Sequence, residues 1–382
     1  MTRERKVILI PYNVSPKWLG GVLYISNIIK MLNWLEDKDK PHLKLVYRKD
    51  LKEVVDEIRY PYLEKIQVNF PDLTKGYLSS WTEGKNKFID DFITDSSVDA
   101  VYPLQDHPVS YTKYPNIQLV AWYPDLQHMH HPEFFSKRKL LERYFKIKLL
   151  LANTNHLVVS SKSVLKDFHK FYNLKNISTY VFNFASVIDN QDFSSWDYLR
   201  ETKALPREYF MVSNQFLQHK NHKVVLEALI VLKNRGLRPT IAFAGNIIGK
   251  LSSKCVKDLR SFINKHDLKD QVIFVNNLSR HEYLTLIKYC KAVIQPSIFE
   301  GWSTVIEDAI SLQTPVIASD IAVNREQLQE WAPFFDPNDA TQLANYIENL
   351  PERSNFNEII YEPYDMRVLK AAKSFISIFN NK

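Results

Sequence analysis

Glu300 and Asp308 are the two carboxylates whose setting best suits chemistry in this sequence. They stand eight residues apart in the stretch Phe299–Asp320, FEGWSTVIEDAISLQTPVIASD. A strand-like AVIQPS precedes Glu300, and Ser303 and Thr304 suit the start of a helix. Free N–H groups at a helix start attract an anion such as phosphate. Glu300 cannot hold phosphate itself, because like charges repel. A carboxylate beside an anion site fits a ligand that carries both hydroxyls and phosphates. Asp308 lies about two turns along the helix, where it can reach a second hydroxyl, while Glu307 points about 100° away. The same spacing also fits a capped helix with surface carboxylates. Gly301 is one of only eight glycines in 382 residues, where average usage gives about 27. Glycine is retained where a backbone turns tightly or must approach a neighbour closely.

The elements that must position these residues follow from the hydrophobic pattern. Short apolar runs alternate with longer amphipathic segments. Strands are predicted at KVILIPY, LKLVYR, IQVNF, DAVYPL, IQLVAWYP, HLVVSS and STYVFNF, then at YFMVSN, TIAFAG, QVIFVN, AVIQPS, PVIASD and APFFDP. Helices are expected at 24–35, 85–94, 132–151 and 162–172 in the first half. In the second half they are expected at 220–234, 253–266, 280–289, 303–313, 323–330 and 339–349, with a last one at 366–379. Strand–helix alternation with nearly continuous apolar strands predicts parallel sheets covered on both faces. The pattern occurs twice, so the fold class is α/β with two doubly wound, Rossmann-like domains, and the ligand is expected in the cleft between them. The polar stretch 187–208 marks the boundary. Gly20, Gly21, Gly245 and Gly301 all lie beyond strand-like runs, and Gly236 reads as a helix C-cap.

Composition narrows the function. No run approaches the roughly 20 apolar residues of a membrane-spanning helix, and the start reads as neither a signal nor a transit peptide. Cys255 and Cys290 are too isolated for a disulfide framework or zinc site, so a reducing, cytoplasmic setting is expected. The net charge of +7 is dispersed, which argues against nucleic acid as a partner. The densest basic stretch, Ser136–Leu151, fits either a solvated helix with one core-facing stripe or an interfacial helix on anionic lipid. There is no GxGxxG after the first strand, no GxxxxGK[ST], no HExxH and no GxSxG. His128, His130 and His131 lack obvious carboxylate or cysteine partners for a metal.

Glu300–Asp320 resembles the signature of the family 4 retaining glycosyltransferases, E-G-F-G-x-x-x-x-E-A followed by a P-V-I-A-S-D strand. The resemblance implies the GT-B fold: an acceptor-side domain at 1–190, a nucleotide-sugar domain at 205–360, and a C-terminal helix at 361–382 packing back on the first. By position, Glu300 takes the role beside the transferred sugar. Asp308, one methylene shorter than the usual glutamate, takes the ribose contact. Backbone N–H groups of Ser303, Thr304 and Val305 are expected to cradle the diphosphate. YFMVSNQFLQHKNHKVVLEAL is similar to the family's phosphate-binding turn, so Lys220 matches its lysine and Gln215 stands where arginine is usual. VAWYPDLQHMHHPEFF resembles a loop near the sugar. His128 is its candidate catalytic residue, and Asp125 either orients it or caps the next segment. Gly20 and Gly21 match the glycine loop after the first strand.

The resemblance implies a retaining transferase moving a sugar from a nucleotide-diphosphate donor, UDP or GDP, to a hydroxyl of a glycan or lipid-linked acceptor. No metal or other cofactor is expected. Bacterial surface polysaccharide or lipopolysaccharide synthesis follows from family habit, at the cytoplasmic membrane face with anionic lipid as a further partner. The alternatives are another sugar-nucleotide enzyme of the same fold, an epimerase or phosphorylase, and a non-catalytic glycosyltransferase-like binding partner.

Overall fold

The computed structural model describes residues 5–93, 98–188, 193–247, 249–353 and 358–380. The chain forms two compact units. One comprises Met1–Val187 with Asp365–Lys382, the other Ile188–Tyr364. The domain boundary expected at 190 lies outside the described residues.

The first unit holds seven strands: β1 Val7–Tyr12, β2 His42–Arg48, β3 Leu63–Val68, β4 Ala100–Leu104, β5 Gln118–Tyr123, β6 His156–Val159 and β7 Ser178–Val181. Their order is β3-β2-β1-β4-β5-β6-β7, with every pairing parallel. The second unit holds β8 Phe210–Ser213, β9 Ile241–Ala244, β10 Val272–Val275, β11 Ala292–Gln295, β12 Val316–Ser319 and β13 Phe334–Phe335. Their order is β10-β9-β8-β11-β12-β13, again parallel throughout. In each sheet the chain first winds outward in one direction, then returns to the middle and winds the other way. The reversal falls between β1 and β4 in the first sheet and between β8 and β11 in the second. Loops at the carboxyl ends of such strands diverge and leave a crevice.

Burial on both faces explains the apolar strands. In the second unit Phe210, Val212, Ile241 and Phe243 pack with the helices His222–Asn234, Gly249–Lys265 and Ala340–Asn349. Met211, Ala242 and Val293 pack with the helices Arg280–Tyr289 and Thr304–Ser311 on the other face. Gly236 has φ +81° and its N–H donates to Lys233 O, which closes the helix before it.

The structure departs from the periodicity at several places. The first helix is Leu19–Met31, so Gly20 and Gly21 lie in its first turn and not in a loop. Glycine weakens helices in isolation, but here the Trp18 indole occupies the space of the missing side chain. A Cβ on Gly21 would lie 2.4 Å from the Trp18 ring. Leu73–Glu83 is a helix that the sequence pattern did not reveal, started by the Asp72 carboxylate accepting from Thr74 N–H and Lys75 N–H. Its Gly76, unfavourable in a helix interior, makes room for Phe88. The polar stretch after Val187 also contains a helix, Trp196–Thr202, capped by Ser195.

Candidate functional site

Lys220 and Glu300 of the second unit meet at its reversal point. Parallel pairing of β8 with β11 brings the carboxyl ends of both strands together. The chain after β8 runs through Asn214 and Gln215 to a 3-10 turn, Gln218–Lys220, before the helix at His222. The chain after β11 runs through Ser297 to Glu300 before the helix at Thr304. Ile298 N–H donates to His219 O at 2.9 Å and ties the two loops together. Asn221, held at φ +49°, turns the first loop into its helix and donates its side-chain amide to Pro337 O.

These constraints put the Lys220 ammonium 2.6 Å from Glu300 Oε1, with side chains only 16% and 10% exposed. Gln295 Nε2 donates to the same oxygen at 2.8 Å. At this depth the pair is screened far less than a surface ion pair. It balances its own charge in the ligand-free protein. Gln215 is half-buried in the β8 loop.

The helix Thr304–Ser311 begins beside this pair. Ser303 is its N-cap, and its Oγ accepts from Ile306 N–H. The expectation that Ser303 N–H would face a phosphate is corrected here. That group donates to Gln327 Oε1 at 3.2 Å, while Gln327 Nε2 donates to Ser303 O and to Glu307 Oε1. Gln327 thereby fixes the turn and satisfies the buried Glu307. The N–H groups of Thr304 and Val305 remain as the first-turn donors without a partner among the described residues, as helix geometry requires. Gly301 is buried. It is not one of the left-handed glycines, which among the described residues are Gly84, Gly236 and Gly249, so its conformation does not need glycine's freedom at positive φ.

Asp308 is 1% exposed and does not stand open. Arg280 grips both of its oxygens, Nη1 to Oδ2 at 2.6 Å and Nη2 to Oδ1 at 2.5 Å. Arg280 itself is 29% exposed. Its guanidinium lies 5.3 Å from the centre of the Tyr283 ring, a phenol whose pKa burial and the Asp308 charge push upward. Arg280, Gln295, Asn214 and Gln327 are the residues that motif reasoning missed. The one signal available was polarity out of place: a glutamine ending the apolar run AVIQ.

The first unit contributes differently. His128 lies in a one-turn helix, Gln127–His130, and is 3% exposed. Neither ring nitrogen has a hydrogen-bond partner among the described residues. Burial, aided by the Arg143 charge, lowers its pKa to about 4, so the imidazole is neutral. Asp125 Oδ1 accepts from Gln127 N–H at 2.9 Å, an Asx-type turn leading into that helix. His130 pairs with Asp167 and His131 with Glu133, so the three histidines do not converge. Among the described residues no group of three or more His, Cys, Asp or Glu is arranged to hold a metal. Trp18 stacks on Trp122 at 5.7 Å between ring centres, and Trp122 on Tyr24 at 4.0 Å.

Residues 198–362 match the family described as Glycosyl transferases group 1. The chain is 26% identical over 251 residues to the O-antigen chain mannosyltransferase RfbU of Salmonella typhimurium. That match covers 64% of this chain and 65% of the relative, a little under two thirds of its length. Among solved structures, a glycosyltransferase from Rickettsia africae superimposes with a TM-score of 0.65 at 16% identity, covering 100% of both chains. Anabaena HepE in complex with UDP and glucose superimposes with a TM-score of 0.62 at 16% identity, covering 98% of this chain and 97% of that one. These likenesses establish the fold, two Rossmann-like units of the GT-B class.

Proposed function

We propose that this chain, whose residues 198–362 match the group 1 glycosyltransferases, is a retaining enzyme of bacterial surface polysaccharide or lipopolysaccharide synthesis. It transfers a sugar from a nucleotide-diphosphate donor to a hydroxyl of a glycan or lipid-linked acceptor. The observation that carries this reading is the Lys220–Glu300 pair beside the open N–H groups of Thr304 and Val305. Lys220 turns from Glu300 to the incoming diphosphate, and the helix N-terminus adds its partial positive charge. Glu300, released, receives a hydroxyl of the sugar.

In the transfer, the bond from the anomeric carbon to the phosphate oxygen breaks. A bond to the acceptor oxygen forms on the same face, and the acceptor proton passes to the leaving diphosphate. Lys220 and the helix terminus stabilise the negative charge that develops there, and they serve this role without a metal. In this reading Arg280 releases one Asp308 oxygen as the donor enters, and that oxygen receives the ribose. The UDP-bound HepE supports UDP as the nucleotide, and the name of RfbU supports a mannosyl group as the sugar.

Attachment to an anionic membrane is part of the proposal. The helix Lys137–Asn153 leaves Leu141, Tyr144 and Phe145 exposed among its lysines and arginines, a composition suited to a lipid surface. No helix of the described residues is long and apolar enough to cross a membrane. Flotation with anionic vesicles, compared with neutral ones, tests the attachment.

The decisive experiment is a thermal-shift screen with UDP, GDP, ADP, dTDP and CMP, then their sugars, on the parent chain and Lys220→Ala. A nucleotide at 100 times its dissociation constant stabilises by about 2.7 kcal/mol. Stabilisation of the parent alone supports the transferase. Silence toward every nucleotide supports a non-catalytic binding partner instead.

A further inference from the structure

Gln295 ends β11 and is fully enclosed, in a strand otherwise composed of Ala, Val and Ile. An amide at such a depth is tolerated only when its groups are bonded. Its Oε1 accepts from Asn214 Nδ2 at 3.0 Å. Its Nε2 donates to Glu300 Oε1 at 2.8 Å and to Ser297 Oγ at 3.2 Å. Asn214 follows β8 directly and is itself 6% exposed. Its carbonyl lies where a side chain on Gly245 would be, 2.3 Å from that glycine's Cβ position. Glycine after β9 therefore seats Asn214, and Asn214 fixes which way the Gln295 amide faces. With the Asn214 amide held, reversing Gln295 would set oxygen against the Glu300 carboxylate and N–H against N–H.

Two donors, Lys220 Nζ and Gln295 Nε2, thus converge on Glu300 Oε1. Oε2 accepts no hydrogen bond from the described residues and belongs to a side chain that keeps part of its surface open. We infer that Gln295 is a positioning residue. Together with Asn214 it holds Glu300 so that Oε2 faces the sugar after Lys220 has turned to the diphosphate. This rests on the transferase reading above. It predicts that Gln295 matters to recognition of the sugar and little to recognition of the nucleotide.

The test is titration calorimetry of the parent chain, Gln295→Leu and Gln295→Glu with UDP, UDP-glucose, GDP and GDP-mannose. The expected result is that Gln295→Leu loses about 10- to 100-fold of the affinity that the sugar adds to its nucleotide. Binding of the bare nucleotide stays within about twofold. Gln295→Glu regains the sugar's contribution at low pH, where the introduced carboxyl keeps a proton to donate, and loses it as pH rises. A purely structural residue would show neither the split nor the pH profile. If Gln295→Leu does not fold, the pH profile of Gln295→Glu decides alone. An undiminished sugar contribution in Gln295→Leu, an equal loss for nucleotide and nucleotide sugar, or a flat profile in Gln295→Glu would overturn the assignment. So would a parent chain that binds a nucleotide without any gain from its sugar, and in all these cases the transferase reading stands. A parent chain that binds no nucleotide overturns both.

Discussion

The two sheets reverse direction in the same way, yet they furnish their reversal points with opposite materials. Beyond β8 and β11 the second unit places a lysine, a glutamate and two buried amides within hydrogen-bonding distance of one another. In the first unit the region that follows β1 and the end of β5 supply an aromatic stack of Trp18, Trp122 and Tyr24, with glycine cleared beneath Trp18. Its one candidate acid–base group, His128, is neutral and enclosed. Topology determines where a crevice lies, and the loop residues determine what it binds. A charged crevice suits an anionic ligand, whereas in the aromatic stack Trp122 and Tyr24 are buried and Trp18 alone is exposed.

Four substitutions or titrations sharpen this contrast or break it. Lys220→Ala has the largest expected effect, a loss of about 10²–10³ in kcat/KM, or about 2.7–4 kcal/mol of transition-state stabilisation. Steady-state kinetics on the nucleotide sugar chosen by the thermal-shift screen reads it, and a loss below tenfold would remove the charged crevice from the mechanism. Next, Arg280→Ala strands the buried Asp308 carboxylate. The cost to stability is about 2 kcal/mol, below that of a fully buried pair because Arg280 is 29% exposed. Chemical denaturation measures it, and nucleoside affinity should fall alongside. Gly21→Val forces Trp18 off its seat, with a stability cost of about 1–3 kcal/mol and a shift in tryptophan emission. Nucleotide affinity should be unchanged, and a parallel loss of UDP or GDP binding would contradict the division of labour between the units.

The smallest expected effect is a pH dependence. Burial lowers His107 and His128 in the first unit to about 4 and His222 in the second to about 3. Unfolded, each binds its proton near pH 6.5. Stability is therefore complete above about pH 6.5 and is lost as pH falls toward 4, because the unfolded chain takes up the protons first. His128→Phe should recover about 1 kcal/mol of that loss near pH 5.5, read as a shallower fall of Tm between pH 7 and 5. An unchanged slope would mean that His128 titrates in the folded protein.

The extent to which the site was legible differs residue by residue. Glu300 and the helix start at Ser303 were visible in a local pattern, a carboxylate before a cap, whereas Lys220 stood out only through the resemblance of its turn to the family motif. Gln295 was not, since one glutamine after Ala-Val-Ile carries no spacing signal. Arg280 lies 28 positions from Asp308, on a different helix, and no periodicity links them. The placement of Gly20 and Gly21 in a loop failed for a related reason. Helix propensity weighs glycine against its own neighbours in sequence, whereas here the tertiary contact with Trp18 decides.

The sequence by itself determined the thirteen strands of the described residues, their division into two sheets and the parallel sense of both. All of these depend on runs of β-branched and aromatic residues and on caps a few positions long. Only the tertiary structure decided which polar groups meet. Lys220 finds Glu300 from 80 positions away, and Asn214 finds Gln295 from 81, because β8 and β11 pair side by side in parallel register. Side-chain partnership across strands is a consequence of that pairing, and the pairing is set by burial of whole sheet faces.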